Sequence, residues 1–235
     1  KDYLLETMNK VVAERQITVI QWTPSALSSI TVECATHVKT VQTGGEVLPP
    51  AVMRRWAAHV PHYTNGYGPT EVAVAATAMR CTVDMSEPIS IGTPLNNVCA
   101  YVTDPTEISV LLPPGVPGEL VLTGPQVARG YMNLPDLTAQ SFVSNPFAAP
   151  DSPHARMYRT GDLCRWLPDG TIGYMGRIDQ QVQLRGYRIE LGEIETTAVE
   201  ADTVREAVAV VREDTPGMQR IVLYVTPSRA EVESV

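Results

Sequence analysis

From Leu4 to Glu71 the sequence alternates helical periodicity with short β-branched runs, and that alternation leaves few folds open. Leu4, Leu5, Met8, Val11 and Val12 recur at helical spacing with Lys10, Glu14 and Arg15 off the stripe, which predicts an amphipathic helix packed on a sheet. Ile17-Thr18-Val19-Ile20 predicts a strand. Thr23-Pro24 offers an N-cap and a first-turn proline for a helix running to about Ile30. A strand near Val38 to Val41, a helix over Pro50 to His59 and a further short strand follow. Together these predict an α/β fold, a parallel sheet with helices on its faces. Ligands in such sheets sit at the carboxyl ends of strands. Both glycine turns fall there, Gly44-Gly45-Glu46 and Asn65-Gly66-Tyr67-Gly68-Pro69-Thr70-Glu71.

The second turn brings backbone amides, a flat ring, a hydroxyl and a carboxylate together. Gly66 and Gly68 allow a sharp bend, and Pro69 stiffens it. Taken alone it reads as an ordinary loop. Beyond Val72, Pro- and Gly-punctuated stretches predict short antiparallel strands forming a small distorted barrel. Leu134 to Phe142 predicts a short helix, and 145–153 an exposed loop. Met157 to Trp166 and Thr171 to Met175 predict a hairpin joined by Pro168-Asp169-Gly170. After Asp179 the pattern restarts with a strand over Gln181 to Ile189, a helix over Leu191 to Glu200, and strands over Val204 to Val211 and Arg220 to Val225. That is the start of a compact α+β unit.

Length and charge exclude several classes. A chain of 235 residues with 44% hydrophobic and 19% charged residues has globular composition. No apolar run is long enough to span a bilayer, and no signal-peptide pattern opens the chain, so no membrane partner is expected. The net charge of −8, with no basic block, speaks against a nucleic-acid surface. Cys34, Cys81, Cys99 and Cys164 are too scattered for a metal motif and read as small hydrophobes in a reducing compartment, hence a cytoplasmic expectation. Residue 1 opens straight into helical periodicity, so the chain reads as beginning inside a larger protein.

Five motifs, taken in order, carry a family resemblance. They are Gly44-Gly45-Glu46; the Asn65 to Glu71 turn; Gly118-Glu119-Leu120 to Ala128-Arg129-Gly130-Tyr131; Tyr158-Arg159-Thr160-Gly161-Asp162-Leu163; and Gly176-Arg177-Ile178-Asp179 to Arg185-Gly186-Tyr187-Arg188-Ile189-Glu190. In this order and spacing the sequence resembles the adenylation domains of non-ribosomal peptide synthetases, within the acyl-adenylate-forming enzymes. The resemblance implies that residues 1–178 are the C-terminal half of the large N-terminal subdomain, and 179–235 the first part of the small C-terminal one. It implies activation of an amino acid with ATP and Mg²⁺ as an acyl-adenylate, with release of pyrophosphate. Transfer to the phosphopantetheine thiol of a peptidyl carrier domain follows, with a condensation domain in the same assembly line.

Carried over onto this sequence, the resemblance places Tyr67 on the adenine ring, with Asn65, Gly66 and Gly68 lining the nucleotide pocket. Thr70 donates to a phosphate oxygen, and Glu71 holds the metal; these two are the catalytic candidates. Asp162 accepts from the ribose hydroxyls, Arg177 supports ribose and phosphate, and Tyr174 closes that side. Asp179 is the hinge. Gln21, Gln42, Gly44, Gly66, Val74 and Ala75 line the acyl pocket, which reads as roomy and partly polar. Each residue also has a plainer reading: Glu71 a solvated carboxylate, Asp162 a turn residue, Arg177 a surface ion pair, Tyr67 a core ring.

The family's phosphate-cradling Ser/Thr/Gly loop, its amino-group aspartate and its Asn-Gly-Lys segment have no counterpart in this sequence. The chain alone is therefore expected not to turn over. Two other readings stay open: an acyl-CoA synthetase or luciferase-like relative, and a non-catalytic nucleotide-binding or docking segment.

Overall fold

The computed structural model describes residues 2–179, 181–184, 187–214 and 219–227. The chain divides into two compact units, Lys1–Ile178 and Asp179–Val235.

The first unit begins with α1 (Asp2–Glu14), β1 (Val19–Trp22), α2 (Pro24–Ser28), β2 (Thr40–Thr43), α3 (Pro50–Ala57) and β3 (His62–Tyr67). β4 (Thr77–Arg80) and β5 (Thr93–Pro94) complete one sheet, in the order β1-β2-β3-β4-β5. β1, β2 and β3 pair in parallel, as the alternation predicts, whereas β4 and β5 add antiparallel. Strands β1 and β2 start two residues later than expected. Ile17 N–H is still bonded to Val12 O at the end of α1, and Val38 N–H to Ala35 O in a preceding turn, so neither residue is available for a ladder.

Burial follows the strand period. Ile20, Val41 and Tyr63 are buried and pack with Leu27, Ile30, Met53 and Trp56 of the helical layer. Fully burying one such side chain is worth roughly 1.5–3 kcal/mol. Their neighbours Gln21 and Gln42 lie in register on the opposite, exposed face. Thr23 Oγ1 caps α2 by accepting from Ala26 N–H, and Glu46 reaches back to accept from the Ser25 N–H (3.0 Å) and hydroxyl (2.8 Å). The glutamate of the first glycine turn thus fastens that turn to α2.

The rest of this unit is a distorted antiparallel sheet. Its elements are β6 (Cys99–Thr103), β7 (Gly118–Thr123), α4 (Pro135–Ser141), β8 (Phe142–Ser144), β9 (Arg156–Trp166) and β10 (Ile172–Arg177). The strand order is β10-β9-β7-β6, with β8 on β9, and the expected Pro168-Asp169-Gly170 turn joins β9 to β10. The two sheets meet where Ile91 N–H bonds to Ile172 O (2.9 Å) and Ile172 N–H to Gly92 O (2.9 Å). Val72, Leu120, Leu122, Tyr158, Cys164 and Ile172 form the core beneath.

The second unit holds β11 (Gln181–Leu184), β12 (Tyr187–Glu190), α5 (Leu191–Val199), β13 (Val204–Arg212) and β14 (Arg220–Pro227). The single strand expected over Gln181 to Ile189 is instead an antiparallel pair, with Val182 opposite Ile189; its expected continuation through Arg185 and Gly186 lies outside the described residues. β13 and β14 pair antiparallel. Among the described residues no disulfide forms, and no helix is long and apolar enough to cross a membrane. Cys81 and Cys164 are buried, while Cys34 and Cys99 are half-buried.

Candidate active site

Asn65, Gly66 and Tyr67 are not part of a turn, as the sequence suggests, but the last residues of β3. They pair with Met79, Ala78 and Thr77 of β4, which fixes the facing of each side chain. Asn65 turns into the buried side. It is 4% exposed, its Nδ2 donates to Ser90 O (3.3 Å), and its Oδ1 accepts from Thr43 Oγ1 (3.4 Å). Gly66 lies on the opposite face, where its carbonyl approaches β2 so closely that a Cβ at Gly44 would sit 2.7 Å from the oxygen. The chain bends at Gly68, where a Cβ would meet Val74 O at 2.6 Å and Ala76 N at 2.7 Å. Only glycine admits those two approaches.

Tyr67 points across to β9. Its hydroxyl donates to Asp162 Oδ2, while Arg177 Nη1 donates to Asp162 Oδ1 (2.9 Å) and to Thr160 O (3.0 Å). Both charged side chains are only 9% exposed. At such depth, deleting either partner would strand the other charge. Arg177 faces Asp162 because β10 is bulged. The register shifts between Tyr174 and Gly176, Gly176 takes φ +122°, and Arg177 comes opposite Asp162. Tyr174 sits beside Tyr67, ring centroids 6.4 Å apart. Burial first, and then the Asp162 charge, push the Tyr67 phenol well above its usual range, so it is a donor at neutral pH. The same two causes raise the Cys164 thiol, which keeps it protonated as a small buried hydrophobe.

The remaining letters of that motif position Asp162. Arg159 Nε donates to Glu119 Oε2 (3.0 Å), and Glu119 Oε1 accepts the Gly161 N–H (3.1 Å). Thr160 Oγ1 donates to Leu120 O (2.6 Å) and accepts the Asp162 N–H (3.0 Å). Gly161 takes φ +69° between them. Glu119 and Arg159 join the two motifs, a link that neither motif shows by itself. The signal available was an acid in Gly-Glu-Leu and a base, Arg159, beside Asp162 in Tyr-Arg-Thr-Gly-Asp-Leu, in separate strands.

Glu71 lies on the short 3-10 turn Thr70–Val72 that follows Pro69. Its carbonyl accepts the Ala128 N–H (2.8 Å), and its Oε1 accepts the Tyr131 hydroxyl (2.6 Å), which also lies 3.4 Å from the Tyr158 hydroxyl. Tyr131 was not singled out as a site residue from the sequence. The segment from Tyr67 to Glu71 is therefore tied to the second sheet at both ends: by Tyr67 to Asp162, and by Glu71 through Tyr131 towards Tyr158. Thr70 is exposed. Among the described residues no three His, Cys, Asp or Glu groups converge as a metal cage. A single carboxylate of this kind suits a hard cation that keeps its waters and takes its other ligands from a phosphate.

The acyl-pocket candidates are spread along one surface. Gln21 and Gln42 form an exposed row, Gly44 and Gly66 continue it, and Val74 and Ala75 are exposed on the turn beyond. Asp179 belongs to the second unit, where its Oδ1 accepts the Gln181 N–H (3.0 Å).

Comparison with known proteins follows the same motifs. Residues 2–132 match the family described as AMP-binding enzyme. Gramicidin S synthase 2 of Brevibacillus brevis is 45% identical over 97% of this chain, and tyrocidine synthase 3 of Brevibacillus parabrevis 44% over 98%. The chain spans only 5% and 4% of those two relatives. The structure of holo-PA1221, described as an NRPS protein containing adenylation and PCP domains bound to a vinylsulfonamide inhibitor, superposes with a TM-score of 0.85 at 27% identity. That match covers 96% of this chain and 40% of the other. The acyl-adenylate-forming fold expected from the sequence is the fold observed.

Proposed function

We infer the function from a premise the chain satisfies plainly: it belongs to the AMP-binding enzyme family. Its activity is the ATP-dependent activation of an amino acid as an acyl-adenylate, within a peptide synthetase. The observation that carries this reading is the Asp162 carboxylate, gripped between Tyr67 and Arg177.

The difficulty of the reaction is electrostatic, because an anionic carboxylate must approach the α-phosphate of a polyanion in line with the leaving pyrophosphate. The chain's contribution is therefore positioning and charge neutralisation rather than covalent chemistry. The Tyr67 ring offers a flat face for adenine, with Gly66 and Gly68 permitting close approach. Asn65, buried and bonded to Ser90 and Thr43, braces the strand that carries that ring. Each Asp162 oxygen has two lone-pair directions. Tyr67 and Arg177 fix the carboxylate in a plane from which it accepts the ribose hydroxyls. Arg177 also brings positive charge near the phosphates, Tyr174 closes the adenine side, and Thr70 donates to a phosphate oxygen. Glu71 would hold Mg²⁺, which supplies neutralisation of the phosphate charge when bound.

The acyl side chain would rest against Gln21, Gln42, Gly44, Gly66, Val74 and Ala75. Asp179, at the start of the second unit, is the residue about which that unit would turn before thioester formation on the phosphopantetheine of a carrier domain. A condensation domain in the same protein would take the product. The likeness to gramicidin S synthase 2, to tyrocidine synthase 3 and to the NRPS protein containing adenylation and PCP domains supports the assembly-line setting of this reading. Amino-acid-dependent exchange of pyrophosphate into ATP by the full-length protein is the test. Exchange with one or a few amino acids is expected. Exchange only with fatty or aryl acids, followed by transfer to free coenzyme A, would overturn the peptide-synthetase reading.

A further inference from the structure

Ala128-Arg129-Gly130-Tyr131 is the motif that meets Glu71 twice. Its geometry is specific. The Ala128 N–H holds the backbone of Glu71 at 2.8 Å, and the Tyr131 hydroxyl holds the side chain of the same residue at 2.6 Å. Gly130 lies between them at φ +144°, and a Cβ there would fall 2.4 Å from Thr138 Cγ2. That close approach lets Thr138 Oγ1 accept the Tyr131 N–H at 2.9 Å, so α4 fixes the tyrosine backbone. The ring is fixed as well, edge-on to Phe142 with centroids 5.3 Å apart, and Phe142 packs in turn on Tyr158. A hydroxyl placed this firmly constrains what it touches.

We propose that Tyr131 is a positioning residue for Glu71, orienting the carboxylate that meets the divalent cation accompanying ATP. A half-buried carboxylate on a short turn still has several rotamers, whereas one with an oxygen held by a fixed phenol has few. Mg²⁺ demands near-ideal octahedral geometry, so the orientation of a carboxylate that meets it controls affinity. This inference rests on the adenylation reading and adds to it the group that sets the metal ligand.

The test uses the full-length protein and Tyr131→Phe, which removes one oxygen and keeps the ring. Binding of ATP is followed by calorimetry across a series of Mg²⁺ concentrations, and binding of AMP is measured in EDTA. The Mg²⁺ concentration giving half of the ATP effect is expected to rise about ten- to hundredfold, the usual consequence of losing a partner that orients a metal ligand. AMP binding is expected to stay within about twofold, since the adenine and ribose contacts are untouched. In a Glu71→Gln background the tyrosine substitution should add nothing. Unchanged Mg²⁺ dependence in Tyr131→Phe overturns the proposal. So does a parallel loss of AMP binding, which would mark a merely structural role. If the wild-type protein binds AMP and ATP equally poorly at every Mg²⁺ concentration, the adenylation reading itself fails and the proposal falls with it.

Discussion

The Tyr67 hydroxyl donates to Oδ2 of Asp162, a residue 95 positions further along the chain, while Arg177 holds the other oxygen at 2.9 Å. On the proposed function one tyrosine would carry two roles: its ring would face the ligand, while its hydroxyl holds the carboxylate. Tyr67→Phe separates them. A hydrogen bond to a charged group is worth about 1.5–3 kcal/mol, so ATP binding by the full-length protein should weaken roughly ten- to a hundredfold. With 2′,3′-dideoxy-ATP, which offers Asp162 no ribose hydroxyls, the same substitution should change affinity by less than about threefold. Equal losses for both nucleotides would mean that the hydroxyl does not act through Asp162.

The same contact makes stability depend on alkaline pH. The Tyr67 phenol is raised above its ordinary value of 10.0 by burial and then by Asp162. The folded state therefore keeps a proton that the unfolded state releases above that value. A raised group contributes in full below the unfolded pKa, and the contribution drains as pH climbs towards the folded one. Urea unfolding of wild-type and Tyr67→Phe chains should thus differ most at pH 7–9 and progressively less above pH 10. Tyr63, raised to about 12 by burial, is common to both chains and cancels in the difference. A gap that widens with pH would contradict the assigned direction.

Arg177 is the counterpart test. With 9% of each side chain exposed, Arg177→Ala leaves Asp162 buried without its cation, and a loss of about 3–5 kcal/mol is expected. Arg177→Lys keeps the charge but not the planar fork, and should recover most of that stability while binding ATP more weakly than wild type. Thermal unfolding and nucleotide calorimetry on the three proteins check this. Equal stability of the alanine and lysine variants would show that packing, not the ion pair, holds β10 against β9.

Gly44 is constrained by backbone rather than by chemistry. A methyl group there would lie 2.7 Å from the Gly66 carbonyl oxygen, forcing β2 and β3 apart at the ends that carry the site. Gly44→Ala should cost about 1–3 kcal/mol, the usual range for overpacking. Because Gly66 precedes Tyr67, nucleotide affinity should fall with stability. Wild-type unfolding and binding by the alanine variant would show that the strands have room to spread.

What was legible in the sequence was local. Thr23-Pro24, Pro168-Asp169-Gly170 and the β-branched runs carry their conformations within a few residues: α2 and the hairpin turn begin where expected, and β1 and β2 only two residues later. The motifs marked Tyr67, Glu71, Asp162 and Arg177 as a set, and the fold brings Tyr67, Asp162 and Arg177 into contact. What was not legible depended on partners distant in sequence. Asn65 reads as a ligand-facing turn residue, but strand pairing with Met79 turns it inward to Thr43 and Ser90. Tyr131 reads as the end of a motif until the fold places its hydroxyl on Glu71. The bulge at Met175 that aims Arg177 leaves no periodicity to detect. Side-chain facing, one residue in two along a strand, is what local sequence fixes least where both faces have work to do.

Val74 shows where the acyl side of the site can be probed. It is a β-branched residue at φ 73°, directly after Ala73 at φ 54°, and it is 71% exposed. That region of backbone space is unfavourable for a branched side chain by about 1–3 kcal/mol, and so little of Val74 is buried that packing does not offset it. The strain persists because neighbours over-determine the turn: Val74 N–H and Ala76 N–H bond back to Pro69 O and Tyr67 O, and Gly68 admits the close approach. Val74→Gly should relieve the strain at an added unfolded-state entropy of about 0.5–1 kcal/mol, leaving a net gain near 1 kcal/mol in urea unfolding. If Val74 also borders the acyl group, the same variant should accept bulkier amino acids in pyrophosphate exchange. Its Km for ATP should stay unchanged, since no nucleotide contact is lost. A stabilised variant with unaltered amino-acid preference would keep the strain argument and remove Val74 from the acyl pocket. A destabilised one would show that the valine side chain holds the turn after all.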